Sequence, residues 1–242
     1  MPVKLWQSPR PLTAFAPQWA VPFYHEGMQD PALCAEIARL VLAKEAELKR
    51  TIKAIPISGI AEGLTARWHG FNTFRWDEPP MRLFQQFVKR SYLNFLTSLK
   101  LPRRRCFIQG WANVVRGGEQ LTPHCHDQEP SAYLSGNFCA AAADTATLYF
   151  PPFAYQGFPN PKMAFRVPNE VGMVTFFPST LFHCTTPHRG TSERVTLAFD
   201  IHIADSDALN RPGSQGLHVL FDDPALDSAE PQATGQVPVP QG

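Results

Sequence analysis

Two stretches in the first hundred residues space their apolar side chains as a helix does, and from Cys106 onward the period shortens. In the first stretch, Asp30-Pro31 supplies an N-cap followed by proline at the first helical position. Leu33, Ile37, Leu40, Val41 and Leu48 then recur on one side, with Glu36, Arg39, Glu45 and Lys49 between them. The second stretch begins near Pro79-Pro80. It carries Phe84, Phe87, Val88, Tyr92, Phe95, Leu96 and Leu99 on one side and stops at Leu101-Pro102. Each stripe predicts a helix that packs against a sheet.

Beyond Cys106, short runs rich in aromatic and β-branched residues alternate with Pro, Gly and Asn breaks: CFIQGWANVV, AYLSGNFC, ATLYF, MAFRV, GMVTFF, LFHCTT and RVTLAFDIHI. About seven such strands predict an antiparallel sandwich or barrel. The organisation expected is one domain over 1–221, with a helical part at 1–102 and a β core at about 103–205. The segment 222–242 has few bulky apolar residues and reads as a disordered tail that can be deleted without loss.

Composition narrows the classes. A chain of 242 residues that is 44% hydrophobic and 18% charged can bury a real core. Its net charge of +1 argues against a dedicated nucleic-acid or polybasic membrane binder. No run approaches the length of a membrane span, and the N-terminus has no signal-peptide pattern. The five cysteines, Cys34, Cys106, Cys125, Cys139 and Cys184, are odd in number and form no CxxC pair. A reduced, cytoplasmic protein is expected. Oligomeric state is not legible.

The histidines carry the candidate chemistry. His124 and His126 stand in TPHCHDQ just before a strand, and residues two apart on extended chain point to one side. His183 follows GMVTFFPSTLF on a distant strand. Two close ligands and one remote one are how a barrel builds a facial metal site with open positions. An H-x-H pair alone is equally compatible with histidines satisfied at the surface or in the core. Arg194 lies eleven residues past His183, at the head of a β-patterned run. Alternation places Arg194, Thr196, Ala198 and Asp200 on one face and Val195, Leu197, Phe199 and Ile201 on the other. A buried arginine needs a partner, either a bidentate carboxylate ligand or an internal salt bridge.

The strings WANVVRGGE, PHCH, LSGNF, LYFPP and GMVTFFPS, followed by a histidine and GTSERVT, resemble the iron(II)/2-oxoglutarate-dependent oxygenases. The resemblance is to a bacterial branch related to the prolyl hydroxylases and covers about residues 106–203. It implies a mainly β fold with flanking N-terminal helices, a double-stranded β-helix (jelly roll) enclosing Fe(II). It implies His124 as first ligand and His183 as distal ligand. It also implies that Arg194, with Thr196 beside it, holds the distal carboxylate of the co-substrate 2-oxoglutarate, with Asn113 reaching its other end. The implied reaction consumes O2, releases succinate and CO2, and oxidises a C–H bond of a small molecule such as an amino acid or a secondary-metabolite intermediate.

The family's usual pair is H-x-D, and this chain has His126 at the second position. A three-histidine site of His124, His126 and His183 needs no special backbone and is the reading preferred. The alternative is a turn that brings in Asp127 or Glu129. Two other functions compete: a three-histidine cupin-like dioxygenase without 2-oxoglutarate, and a jelly-roll binding protein that is no enzyme. Cys125 and Cys184 neighbour proposed ligands and are expected to face away as packing residues. His188 and His202 are candidate substrate contacts, or satisfy local hydrogen bonds. Arg103, Arg104 and Arg105 form a basic run expected to be a solvated edge. Trp68, Phe71, Phe74 and Trp76 either cover the barrel mouth or join the core.

Overall fold

The computed structural model describes residues 2–55, 59–141, 145–152, 163–210 and 216–227. Among the described residues, ten strands form two sheets. In chain order they are β1 (Val3–Gln7), β2 (Ala20–Gly27), β3 (Cys106–Val115), β4 (Leu134–Ala141), β5 (Ala146–Tyr149), β6 (Phe165–Pro168), β7 (Met173–Pro178), β8 (His183–Thr185), β9 (Arg194–Ile203) and β10 (Val219–Asp222). The larger sheet runs β1-β2-β7-β4-β9-β3-β10, and the smaller runs β6-β5-β8. An antiparallel bridge between His124 and His183 extends the smaller sheet by one position.

The two helices lie where their stripes predict. Helix α1 (Pro31–Thr51) starts with the Asp30 side chain accepting from the Leu33 N–H at 2.9 Å. Its buried face is Cys34, Ile37, Ala38 and Val41. Helix α2 (Pro79–Ser98) buries Phe84, Phe87, Val88, Tyr92, Phe95 and Leu96. Both pack into one core with the outward residues of β9, namely Val195, Leu197, Phe199 and Ile201. Gly136 on β4 faces the same core because a Cβ there would meet the Phe199 ring at 2.2 Å. One side of the large sheet is thereby sealed by helices. The other is left for a site.

Four expectations need correction. The N-terminal part is not purely helical, since β1 and β2 extend the large sheet through antiparallel pairing of β2 with β7. Glu45, a polar position between the apolar residues of α1, is buried and forms a fork with Arg116 at 3.0 and 2.7 Å. Arg103 is part-buried in an ion pair and is not a solvated edge, whereas Arg104 and Arg105 are exposed as expected, and the tail does not begin at Asp222. Strand β10 ends there, and a short helix, α3 (Pro224–Asp227), follows it. The remainder of the tail, 228–242, lies outside the described residues.

Asp222 is 1% exposed and accepts from Arg103 at 2.9 and 2.6 Å, while Arg105 pairs with Asp223 at 3.2 Å. The pairing pins the C-terminal strand beside β3. Removing Arg103 leaves a buried carboxylate with only Lys89 at 3.6 Å. Loss of one partner of such a pair costs about 3–5 kcal/mol. Arg103→Ala should therefore lower the denaturation midpoint substantially in a urea titration, whereas Arg104→Ala should not.

A second stability test lies in β2. His25 faces Thr175 across the sheet, and its Nδ1 lies 3.1 Å from the Thr175 hydroxyl. Burial, with a smaller contribution from Lys4, pushes its pKa from 6.5 down to about 4. Above pH 6.5 neither the folded nor the unfolded chain protonates this ring. Below it the unfolded chain takes up a proton that the folded chain refuses, so stability falls as pH drops toward 4. His25→Asn keeps a polar atom near Thr175 and removes the titration. Its melting temperature should fall less than that of the wild type between about pH 7 and pH 5.

Candidate metal and co-substrate site

The inner face of the large sheet is built in cross-strand rows. Gln109, Asp200, Ser135 and Phe177 form one row, and Trp111, Ala198, Asn137 and Thr175 the next. Asn113, Thr196 and Cys139 form a third. Against these rows stands the smaller sheet with Thr147, Tyr149, His183 and Thr185. Between them lies an open pocket of about 420 Å³ lined by His124, His126, His183, Arg194, Asn113 and Tyr149, among others.

Three local devices bring the histidines together. His124 and His183 are directly opposed, exchanging backbone bonds of 3.0 and 2.8 Å. His126 is held by its N–H donating to the Ser179 carbonyl at 3.0 Å. The candidate ligand atoms of His124, His126 and His183 all lie within 4.8 Å of one another. Each Nδ1 faces an acceptor: the Thr122 carbonyl at 2.7 Å for His124, the Leu181 carbonyl at 2.9 Å for His183, and an Asp200 carboxylate oxygen at 2.5 Å for His126. A carbonyl or carboxylate can only accept, so each Nδ1 carries the proton and each Nε2 offers a lone pair. Burial, and then the neighbouring imidazoles, push His124 down to about 4 and His183 well below 6.5, so both rings are neutral as ligands must be. The donor set fits a divalent transition metal.

Asp127 does not join this group. Its Oδ1 accepts from the Glu129 N–H at 3.1 Å in a local turn, and the cluster of candidate ligand atoms is His124, His126 and His183. Cys125 and Cys184 are free thiols outside the cluster. His188 is buried and bonded to its own loop, with Nε2 2.5 Å from the Ser192 carbonyl, and His202 packs 5.1 Å from His218. Neither lines the pocket. Of the aromatic cluster, Phe71 and Phe74 are core, with Phe71 stacked on Trp76, and Trp68 packs at 6.2 Å against Trp111 on the pocket wall.

Arg194 is 1% exposed and lines the same pocket. Its Nε and Nη1 have no hydrogen-bond partner, and no described carboxylate pairs with it. The internal salt bridge that would explain a buried arginine is absent among the described residues. Asn113 lies opposite Thr196, donates to its hydroxyl at 3.5 Å, and leaves Oδ1 unpartnered. Burial pushes the Tyr149 phenol up, against an opposing pull from Arg194, so it stands in the pocket as a neutral hydroxyl.

Residues 109–200 match the model of the family described as "Putative 2OG-Fe(II) oxygenase". That segment, from β3 to β9, resembles the 2OG-Fe(II) oxygenases. The proteins of that family are oxidoreductases that use Fe(II) and 2-oxoglutarate. No curated protein matches it in sequence. Among solved structures, a Pseudomonas putida prolyl-4-hydroxylase is similar at TM-score 0.50 and 11% identity, over 75% of this chain and 92% of that one. The viral collagen prolyl hydroxylase of Paramecium Bursaria Chlorella virus-1, in a 2OG complex, gives 0.50 and 13%, over 75% and 96%. A non-heme alpha ketoglutarate dependent carbocyclase, SnoK from nogalamycin biosynthesis, gives 0.51 and 10%, over 76% and 80%. At these identities the likeness is one of fold, the double-stranded β-helix. No described helix of the chain is long and apolar enough to cross a membrane.

Two residues of the site escaped the sequence reading. Asp200 and Ser135 sit opposite each other in one cross-strand row and meet at 2.5 Å. Alternation had put Asp200 on the Arg194 face, but nothing local pairs it with His126. Burial works against the Asp200 charge; the His126 ring, His202 and the Ser135 hydroxyl outweigh that and hold it below the usual carboxylate value.

Proposed function

We propose that the protein holds Fe(II) through His124, His126 and His183, anchors 2-oxoglutarate through Arg194, and oxidises a C–H bond of a small molecule. The observation that carries this reading is the Arg194 fork, buried with no carboxylate partner among the described residues, in the same pocket as the three imidazoles. An unpaired buried cation is costly, and a dicarboxylate ligand relieves that cost with matching geometry. A dioxygenase without 2-oxoglutarate would have no use for it. Fe(II), 2-oxoglutarate and O2 supply the oxidising chemistry, with succinate and CO2 released. The chain's own residues bind and orient. Arg194 takes the distal carboxylate, Thr196 lies next to it on the same strand face, and the Asn113 amide faces the other end. Trp111, Tyr149 and Phe177 wall the pocket with aromatic surface, which suits an amino acid or secondary-metabolite intermediate. Five free cysteines support a reducing, cytoplasmic setting.

Incubation in air with Fe(II) and 2-oxoglutarate tests this. Succinate should form only when both are present, and Arg194→Ala should form little at the same 2-oxoglutarate concentration. Succinate release that ignores the Arg194 change would refute the anchor.

A further inference from the structure

We propose that Asp200 is a positioning residue that makes His126 serve in place of a carboxylate ligand. The inference rests on the three-histidine reading above and extends it to a group that does not touch the metal. Among the three imidazoles, His124 and His183 lean on neutral backbone carbonyls. His126 alone leans on a carboxylate. That carboxylate is also held by the Ser135 hydroxyl, which donates to the same Oδ1 at 2.5 Å and lies 2.9 Å from His126 Nδ1. Both supporting residues sit on central strands, β9 and β4, paired to each other in register, so the acceptor is rigid.

Two consequences follow from this arrangement. Asp200 fixes the His126 ring with Nδ1 protonated and Nε2 presented to the metal. It also places a negative charge one imidazole away from the site. A carboxylate hydrogen-bonded to a ligating imidazole raises the ring's donor strength. The set of three neutral ligands therefore recovers part of the anionic character that an H-x-D pair provides directly. No such supplement is needed at the other two positions, and none is built there.

Cobalt(II) titration of the metal-free protein tests this without reference to turnover, because Co(II) reports both affinity and ligand field through its visible absorption. Asp200→Asn keeps an acceptor oxygen for the His126 N–H and removes the charge. It should weaken Co(II) binding by about ten- to a hundredfold and shift the visible band. Ser135→Ala, which leaves the carboxylate in place, should weaken binding less. The deciding comparison uses His126→Asp, in which the ligand is itself a carboxylate and no imidazole remains for Asp200 to support. In that background Asp200→Asn should not weaken binding. Equal weakening in both backgrounds would mean that Asp200 acts on the fold and not through His126, and would overturn the proposal. Wild-type affinity and spectrum in Asp200→Asn would overturn it as well, while loss of binding in His126→Ala would keep the ligand reading intact. Undiminished binding in His126→Ala would remove the ligand reading and this inference together.

Discussion

Replacing Arg194 by alanine is expected to weaken 2-oxoglutarate binding to the Fe(II)-loaded protein by about ten- to a hundredfold. A hydrogen bond to a charged group contributes about 1.5–3 kcal/mol, and each 1.4 kcal/mol is roughly tenfold in affinity. Metal affinity should be unchanged, because Arg194 is outside the histidine cluster. Arg194→Lys should recover only part of the loss, since an ammonium cannot reproduce the two-pronged contact. Replacing the guanidinium by an apolar side chain of similar length has the opposite effect on the apoprotein. Burial works against the Arg194 charge, and no described carboxylate repays it. Arg194→Met should therefore raise the melting temperature of the ligand-free chain while impairing co-substrate binding. Anaerobic calorimetric titrations and thermal melts measure the two effects separately. An apoprotein that is destabilised by Arg194→Met would mean that the guanidinium is satisfied in a way the pocket geometry does not show.

Single replacements of His124, His126 and His183 by alanine should each weaken Fe(II) binding by at least about a hundredfold, beyond the loss typical of a supporting residue. Asp127→Ala should retain one Fe(II) per chain, because the Asp127 carboxylate caps the Glu129 N–H and stands apart from the cluster. Iron content after anaerobic loading and desalting distinguishes the variants. Retention in His126→Ala with loss in Asp127→Ala would move the third ligand to the carboxylate.

The helices were legible because their signals are local. Asp30-Pro31 caps α1, and the Phe84 to Phe95 stripe repeats within a single helix. The alternation of β9 was legible for the same reason, and it separated Arg194, Ala198 and Asp200 from the helix-facing residues in sequence alone. What was not legible depends on partners far along the chain. VKLWQ and AVPFYHEG become strands by pairing of β2 with β7, about 150 residues away in the case of His25 and Thr175. His126 and Asp200 are 74 positions apart. Asp222 sits at the head of a segment poor in apolar residues, and composition could not reveal that Arg103 holds it in place. Glu45 misled in the same way. Its partner Arg116 arrives from the loop after β3, so a charged residue on a helix flank is buried.

The proposed function requires one pocket to hold both a metal and a dicarboxylate. The most direct measurement is the absorption spectrum of the Fe(II)-loaded protein under argon as 2-oxoglutarate is added. A visible charge-transfer band should grow and saturate at one co-substrate per chain, and Arg194→Ala should require much more 2-oxoglutarate to reach it. Fe(II) bound at the histidines with no band at any 2-oxoglutarate concentration would contradict the account.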